Sequence, residues 1–171
     1  MIYVLDANVF IDAAKRYYAF DIAPGFWDSL ALLAQAGYVR SIDRVYQELS
    51  RQKDGLYDWA GISFRAAFQS TDREDVTLQY GQVMQWVNQQ ERYFDAAIYD
   101  FADGADGWLV AYAKVCGCTL VTNEVYNDYI KRKVPLPNVC VAANVPYTEP
   151  FTMLRELGVK FHFAGLDAPA E

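Results

Sequence analysis

The chain opens on a short apolar run, Ile2 to Leu5, that stops at an acid, Asp6. Continuous apolar runs of this length fit strands buried on both faces, as in a parallel sheet. Val9 to Tyr18 then reads as a helix, with Val9, Phe10, Ala13, Ala14 and Tyr17 on one side. After a turn at Asp21 to Gly25, a second helix runs from Phe26 to Gln35 and stops at Gly37. Tyr38 to Ile42 is the next strand, and Asp43 is placed to cap a helix over Arg44 to Lys53, which Asp54-Gly55 breaks. Leu56 to Phe68 is aromatic and reads as helical. Ser70 or Thr71 caps a long helix from Asp72 to Gln90, whose Val76, Tyr80, Val83 and Val87 recur at helical spacing. Tyr93 to Tyr99 is a further short helix. Asp103, as N-cap, and Asp106 lead into an apolar helix over Trp108 to Val115, stopped by Gly117. Thr119 to Thr122, Asn138 to Ala142 and Val159 to Phe163 read as three more strands, with a helix at Glu149 to Leu157.

Strands alternating with helices imply a parallel sheet covered on both sides. The expected fold is therefore α/β, a three-layer α/β/α domain with a central parallel sheet of four to five strands. The 171 residues suit one domain. It spans 1–165, with 56–100 as a helical insertion and 166–171 as a frayed tail.

Composition narrows the class. Hydrophobic residues make up 53 % and charged residues 22 %, a globular balance that argues against long disorder. No apolar run approaches the roughly 20 residues of a membrane span. The first residues lack the basic start and long apolar stretch of a signal peptide, so the expected location is the cytoplasm. Three cysteines and a single histidine, His162, do not make a zinc site. The net charge is -7, which counts against a binder held to nucleic acid by its own charge, unless bound cations restore positive charge locally.

The candidate chemistry is carboxylate. Ligands of open parallel sheets bind beyond the carboxyl ends of the strands. Asp6 follows the first strand and Glu124 lies two residues past Thr122, so both fall on that edge. Asp106 starts a helix, where it either serves the macrodipole or points at the strand ends. Glu48 either joins these acids or pairs with Arg44 one turn earlier. Four converging carboxylates repel one another, and a hard divalent cation, Mg²⁺ or Mn²⁺, resolves the repulsion. Such a site suits phosphodiester hydrolysis. Lys131, Arg132 and Lys133 lie a few residues past Glu124, and Lys15 and Arg16 precede Tyr17 and Tyr18. Both groups are candidates for phosphate and base contact, with a solvated helix end as the plainer alternative.

These residues resemble a known series. Met1 to Asn8, then Glu48, then Ala105 to Ala113, then Val121 to Glu124, are similar to the ordered motifs of PIN-domain ribonucleases, and within them to the branch known as DUF4411. Trp27, Ser41-Ile42, Asp54 to Trp59 and Leu154 to Phe161 add to the likeness, which covers nearly the whole chain. The resemblance implies a metal-dependent endoribonuclease for single-stranded RNA, of the kind that often serves as the toxin of a toxin–antitoxin pair. It implies an acidic pocket of Asp6, Glu48, Asp106 and Glu124, with Asn8 and Thr122 orienting the ligands. It also implies a cognate antitoxin that sets a basic side chain among the acids, and pairing into a homodimer. Two features depart from the pattern. Glu124 stands where most such toxins carry Asp, and the aromatic-rich insertion is large.

A dehalogenase-type phosphatase requires a second Asp where Asn8 stands, and a phosphate-binding glycine-rich loop is absent. The competing reading is a PIN-like interaction module without catalysis.

Overall fold

The computed structural model describes residues 1–162. Its sheet has five parallel strands, β1 (Tyr3–Leu5), β2 (Val39–Ile42), β3 (Phe68–Gln69), β4 (Thr119–Val121) and β5 (Tyr147–Thr148). They lie in the order β3-β2-β1-β4-β5. Successive side chains of a strand face opposite ways. Tyr3, Val4 and Leu5 are nonetheless all at most 1 % exposed, so both faces of the sheet are covered. The chain leaves β1 toward β2 on one side and later fills β4 and β5 on the other. The carboxyl ends of β1 and β4 thus flank the point where strand order reverses, which is where such sheets form a crevice.

Two groups of helices make the outer layers. One contains α1 (Ala7–Asp12), extended by a π-helical turn at Ala13–Tyr17, with α2 (Pro24–Gln35), α3 (Asp43–Leu49) and α4 (Gly55–Ile62). Aromatic rings bind this group. Trp27 meets Trp59 edge-on with centroids 4.8 Å apart, and Phe10 meets Phe64 at 5.3 Å. The other contains α5 (Glu74–Asn88), α6 (Asp95–Asp103), α7 (Asp106–Cys116) and α8 (Leu136–Ala143). Here α5 lies along α7, and Gly107 permits the close approach: a Cβ there would fall 2.9 Å from the Tyr80 ring. Gly117, at φ 62°, ends α7 in the left-handed conformation that glycine adopts without strain. Last comes α9 (Pro150–Glu156), tied to the sheet by the Tyr3 hydroxyl, which donates to Glu156.

The expected α/β architecture is present, with two strands in other places. Asn138–Ala142 is not a strand but part of α8. Pro137 sits in that helix's first turn, where proline costs nothing, and Val139 and Cys140 are buried while Val141 is exposed. An apolar run this short fits a strand or a buried helix equally well. Val159 to His162 does not pair with the sheet; Phe161 instead sets its ring near Tyr18 and Phe26. Phe163 and the tail 166–171 lie outside the described residues. The true edge strands, β3 and β5, are two residues each. The 56–100 stretch contains β3 and contributes Val76, Val83 and Val87 to the common core. Neither Ser70 nor Thr71 caps α5: Ser70 binds the Asp72 amide and Thr71 is held by Asp43.

Candidate active site

Asp6 ends β1 and begins α1, and it is 1 % exposed. Its amide donates to the Val121 carbonyl at 3.0 Å, which pins the end of β1 to β4. On its side chain, Oδ2 accepts from the Thr122 hydroxyl at 2.9 Å and from Asn8 Nδ2 at 3.5 Å. The Thr122 hydroxyl in turn accepts from the Glu124 amide at 3.1 Å, so one hydroxyl links two of the acids. The buried Ser41 hydroxyl donates to the Leu5 carbonyl at 2.7 Å and steadies the same strand end from β2. Asn8 and Thr122 thus both hydrogen-bond one oxygen of the Asp6 carboxylate.

Asp106 is the first residue of α7, and it is set in place from α3. Glu48 Oε1 accepts from the Ala105 amide at 2.8 Å, which caps α7 from another helix. Arg44 does not pair with Glu48. Its guanidinium lies 3.8 Å over the Trp108 ring, Trp108 stacks on Tyr80 at 3.9 Å, and Arg44 Nε donates to Thr71. This column clamps α3 and α5 against the start of α7. Asp103 is not the cap of that helix. It closes α6 and is exposed, because Gly104 and Ala105 already make the turn.

Glu124 is engaged at both oxygens. Oε1 pairs with Lys133, and Oε2 accepts from the Leu136 amide at 3.0 Å, at the start of α8. The loop between them is built rather than slack. Asn127 and Asn138 exchange two hydrogen bonds of 2.9 Å, Arg92 binds Asp128 at 2.8 Å, and the Phe94 amide donates to the Lys131 carbonyl at 2.9 Å.

The four acids sense one another. Burial pushes the Asp6 carboxyl up to about 6; bonds from Thr122 and the Asn8 backbone oppose this, and the charges of Glu124 and Glu48 add to it. Burial also drives Asp106 well above the usual carboxylate range, helped by Asp6, Glu124 and Glu48 and opposed by Lys133. Burial works against the Lys133 ammonium, but the bond and charge of Glu124, then Asp106 and Asp6, outweigh it and raise its pKa. Cys140, free and buried, has its thiol raised by burial and then by Asp106, Asp6 and Glu124.

The donor set suits a hard divalent cation. It is all oxygen, and the buried Asp6 and partly buried Asp106 resist ionising without added positive charge. Among the described residues, no three such groups stand close enough to grip one ion together. The fit is therefore to a hydrated ion, which Mg²⁺ favours: one or two carboxylates bind it and water fills the remaining positions. Asp6 and Asp106 would hold it directly and Glu48 through water, whereas Glu124 already has an ammonium and an amide against its two oxygens.

Of the basic candidates, Lys133 turns into the acids. Arg132 and Lys133 line a cavity of about 250 Å³ with Asp106. Arg16 pairs with Asp12 at 3.6 Å, and Lys15 donates to Gln52 at 2.9 Å beside a cavity that Glu48 also lines. Lys131 is exposed. Two acids near the site escape sequence reasoning. Asp100, on α6, lines the Asp106 cavity. Asp12 accepts from Asn123 at 2.8 Å and lines a 560 Å³ cleft with Thr122 and Glu124. Neither has a sequence signal beyond Asn123's position directly after Thr122. The same cleft carries Tyr17, Tyr126, Tyr147 and Phe151, all partly exposed.

Comparison with known proteins follows this geometry. The fold is similar to that in the crystal structure of FitAcB from Neisseria gonorrhoeae, at 20 % identity and a TM-score of 0.54, over 88 % of this chain and 99 % of that one. It is also similar to VapBC2 from Rickettsia felis, solved bound to a DNA fragment from their promoter, at 18 % identity and a TM-score of 0.53, over 87 % of this chain and 98 % of that one. These likenesses establish the PIN-like α/β fold. None of the curated proteins compared matches. Among the described residues no helix is long and apolar enough to cross a membrane. A family model described as "Domain of unknown function (DUF4411)" matches residues 3–161, nearly the full length, and the chain belongs to that family.

Proposed function

We propose that the chain is a divalent-metal-dependent endoribonuclease that hydrolyses phosphodiester bonds of single-stranded RNA. The observation that carries this reading is the juxtaposition of two carboxyls at the sheet's switch point, Asp6 buried at the end of β1 and Asp106 partly buried at the start of α7, both with raised pKa values. Keeping two such acids together costs stability unless a cation is to join them. Bound Mg²⁺ or Mn²⁺ would supply an activated water and neutralise charge developing on the phosphate. Asp6, oriented by Thr122 and Asn8, and Asp106, placed by the helix start, hold the ion. Glu48 keeps one oxygen on Ala105 and turns the other to the ion's water shell. Arg132 meets substrate phosphates from the cavity rim. Tyr17, Tyr126, Tyr147 and Phe151 offer faces on which unpaired bases stack.

The structural neighbours support the biological setting. The VapBC2 and FitAcB likenesses agree with the toxin of a toxin–antitoxin pair. A cognate antitoxin with a basic side chain for the acids, and a homodimer, belong to the same reading. A cleavage assay on single-stranded RNA with added Mg²⁺ or Mn²⁺, with chelator, and with Asp6→Asn tests it. Cutting that survives chelation or the substitution refutes the mechanism. The locking of Glu124 by Lys133 favours a second reading, a PIN-like interaction module without catalysis; absence of cutting on any RNA would select it.

A further inference from the structure

Half-exposed Lys133 is paired through its ammonium with Glu124, one of the four acids. We propose that Lys133 is a built-in counter-ion occupying the place of a second divalent cation, so that the pocket binds one ion rather than two. The inference rests on the ion-binding reading of the pocket given above.

Three observations carry it. Glu124 pairs with Lys133 through one oxygen and binds the Leu136 amide through the other, so a cation reaching it would stand directly against the Lys133 ammonium. Lys133 also lines the cavity that Asp106 lines. Its position is set by structure: the reciprocal Asn127–Asn138 bonds, the Arg92–Asp128 pair and the Phe94–Lys131 backbone bond hold the loop that delivers it. Charge gives the direction. With Lys133 in place and all four carboxylates ionised, one divalent ion leaves a net charge of about -1, and a second carries the cluster past neutrality to about +1. Without Lys133, two divalent ions balance the four acids. The departure of Glu124 from the Asp expected there has the same explanation, since the longer side chain reaches Lys133 and the start of α8.

Titration with Mn²⁺ alone, counted by the loss of the free-ion electron paramagnetic resonance signal, tests this on the full chain. Wild type is expected to bind one ion per chain. Lys133→Met is expected to bind two, the first about tenfold more tightly, as the loss of a nearby like charge implies. Lys133→Arg keeps the charge and should match wild type; Lys114→Met, on the far end of α7, should also match it. Circular dichroism establishes that each variant is folded, and Lys133→Gln replaces Lys133→Met if that chain is not. Two ions on wild type, or one ion of unchanged affinity on the neutral variant, overturns the role of Lys133 alone. No Mn²⁺ on any variant overturns the ion-binding reading and this inference with it.

Discussion

Glu48 Oε1 accepts a 2.8 Å hydrogen bond from the backbone N–H of Ala105, the residue directly before Asp106. One carboxylate thus caps α7, and its second oxygen would face the water shell of the proposed ion. The two tasks separate by substitution. Glu48→Gln retains an acceptor for Ala105 and should change thermal stability by under about 0.5 kcal/mol while weakening Mn²⁺ binding. Glu48→Ala should weaken binding and also cost about 1–2 kcal/mol, the range for losing a charged acceptor at a part-buried amide. Equal melting points for the two variants would refute the capping role.

Asp6 makes stability depend on pH in an unusual direction. Its folded pKa, about 6, lies above the ordinary 3.8. The protonated form is therefore favoured by folding. The contribution is complete below pH 3.8 and is lost as pH rises through about 6. Metal-free Asp6→Asn should melt higher than wild type at pH 7.5, by on the order of 2 kcal/mol, with the gap closing by pH 4. Added Mg²⁺ should raise the wild-type melting point and leave Asp6→Asn nearly unmoved. Calorimetry across this range checks both.

Gly107 sits under the Tyr80 ring, where a Cβ would come within 2.9 Å. Gly107→Ala should cost about 1–3 kcal/mol as Tyr80 is forced off Trp108 and the α5–α7 packing opens. Because Asp106 is the adjacent residue, Mn²⁺ affinity should fall as well. Chemical denaturation measures the first effect and ion titration the second.

The aromatic cleft beside Glu124 is expected to hold bases. Tyr126→Ala and Phe151→Ala should each weaken binding of a short single-stranded RNA by about 1–3 kcal/mol. Cleavage at saturating RNA should change little, because neither ring touches the carboxylates. Fluorescence anisotropy with chelated metal gives the affinities, and unchanged values would exclude this cleft as the RNA path.

Much of the layout is legible in the sequence because it depends on local pattern. Ile2 to Leu5 is apolar without interruption and Thr119 to Val121 is β-branched or apolar throughout, so they read as central strands, and the acids after them fall on the carboxyl edge of the sheet by topology alone. Gly117 marks its helix stop because a left-handed residue is needed there. The Asn138 to Ala142 run misleads for the opposite reason: five residues are too few to tell a buried strand from a buried helix, and the signal lies in Pro135 and Pro137 before it.

What the sequence by itself determined is the α/β class, the central strands and which acids stand at their ends, since burial on two faces and strand polarity are written residue by residue. Only the tertiary structure decided the edge strands, the partner of Arg44 and the cation in the pocket. Two-residue strands exist through pairing with a neighbour, and no periodicity records them. Arg44 prefers the Trp108 face, brought from 64 residues away, over the acid one turn along its own helix. Lys133 becomes a member of the site because the loop from β4 to α8 folds back on Glu124, a closure fixed by Asn127, Asn138 and Arg92 rather than by anything local to Lys133.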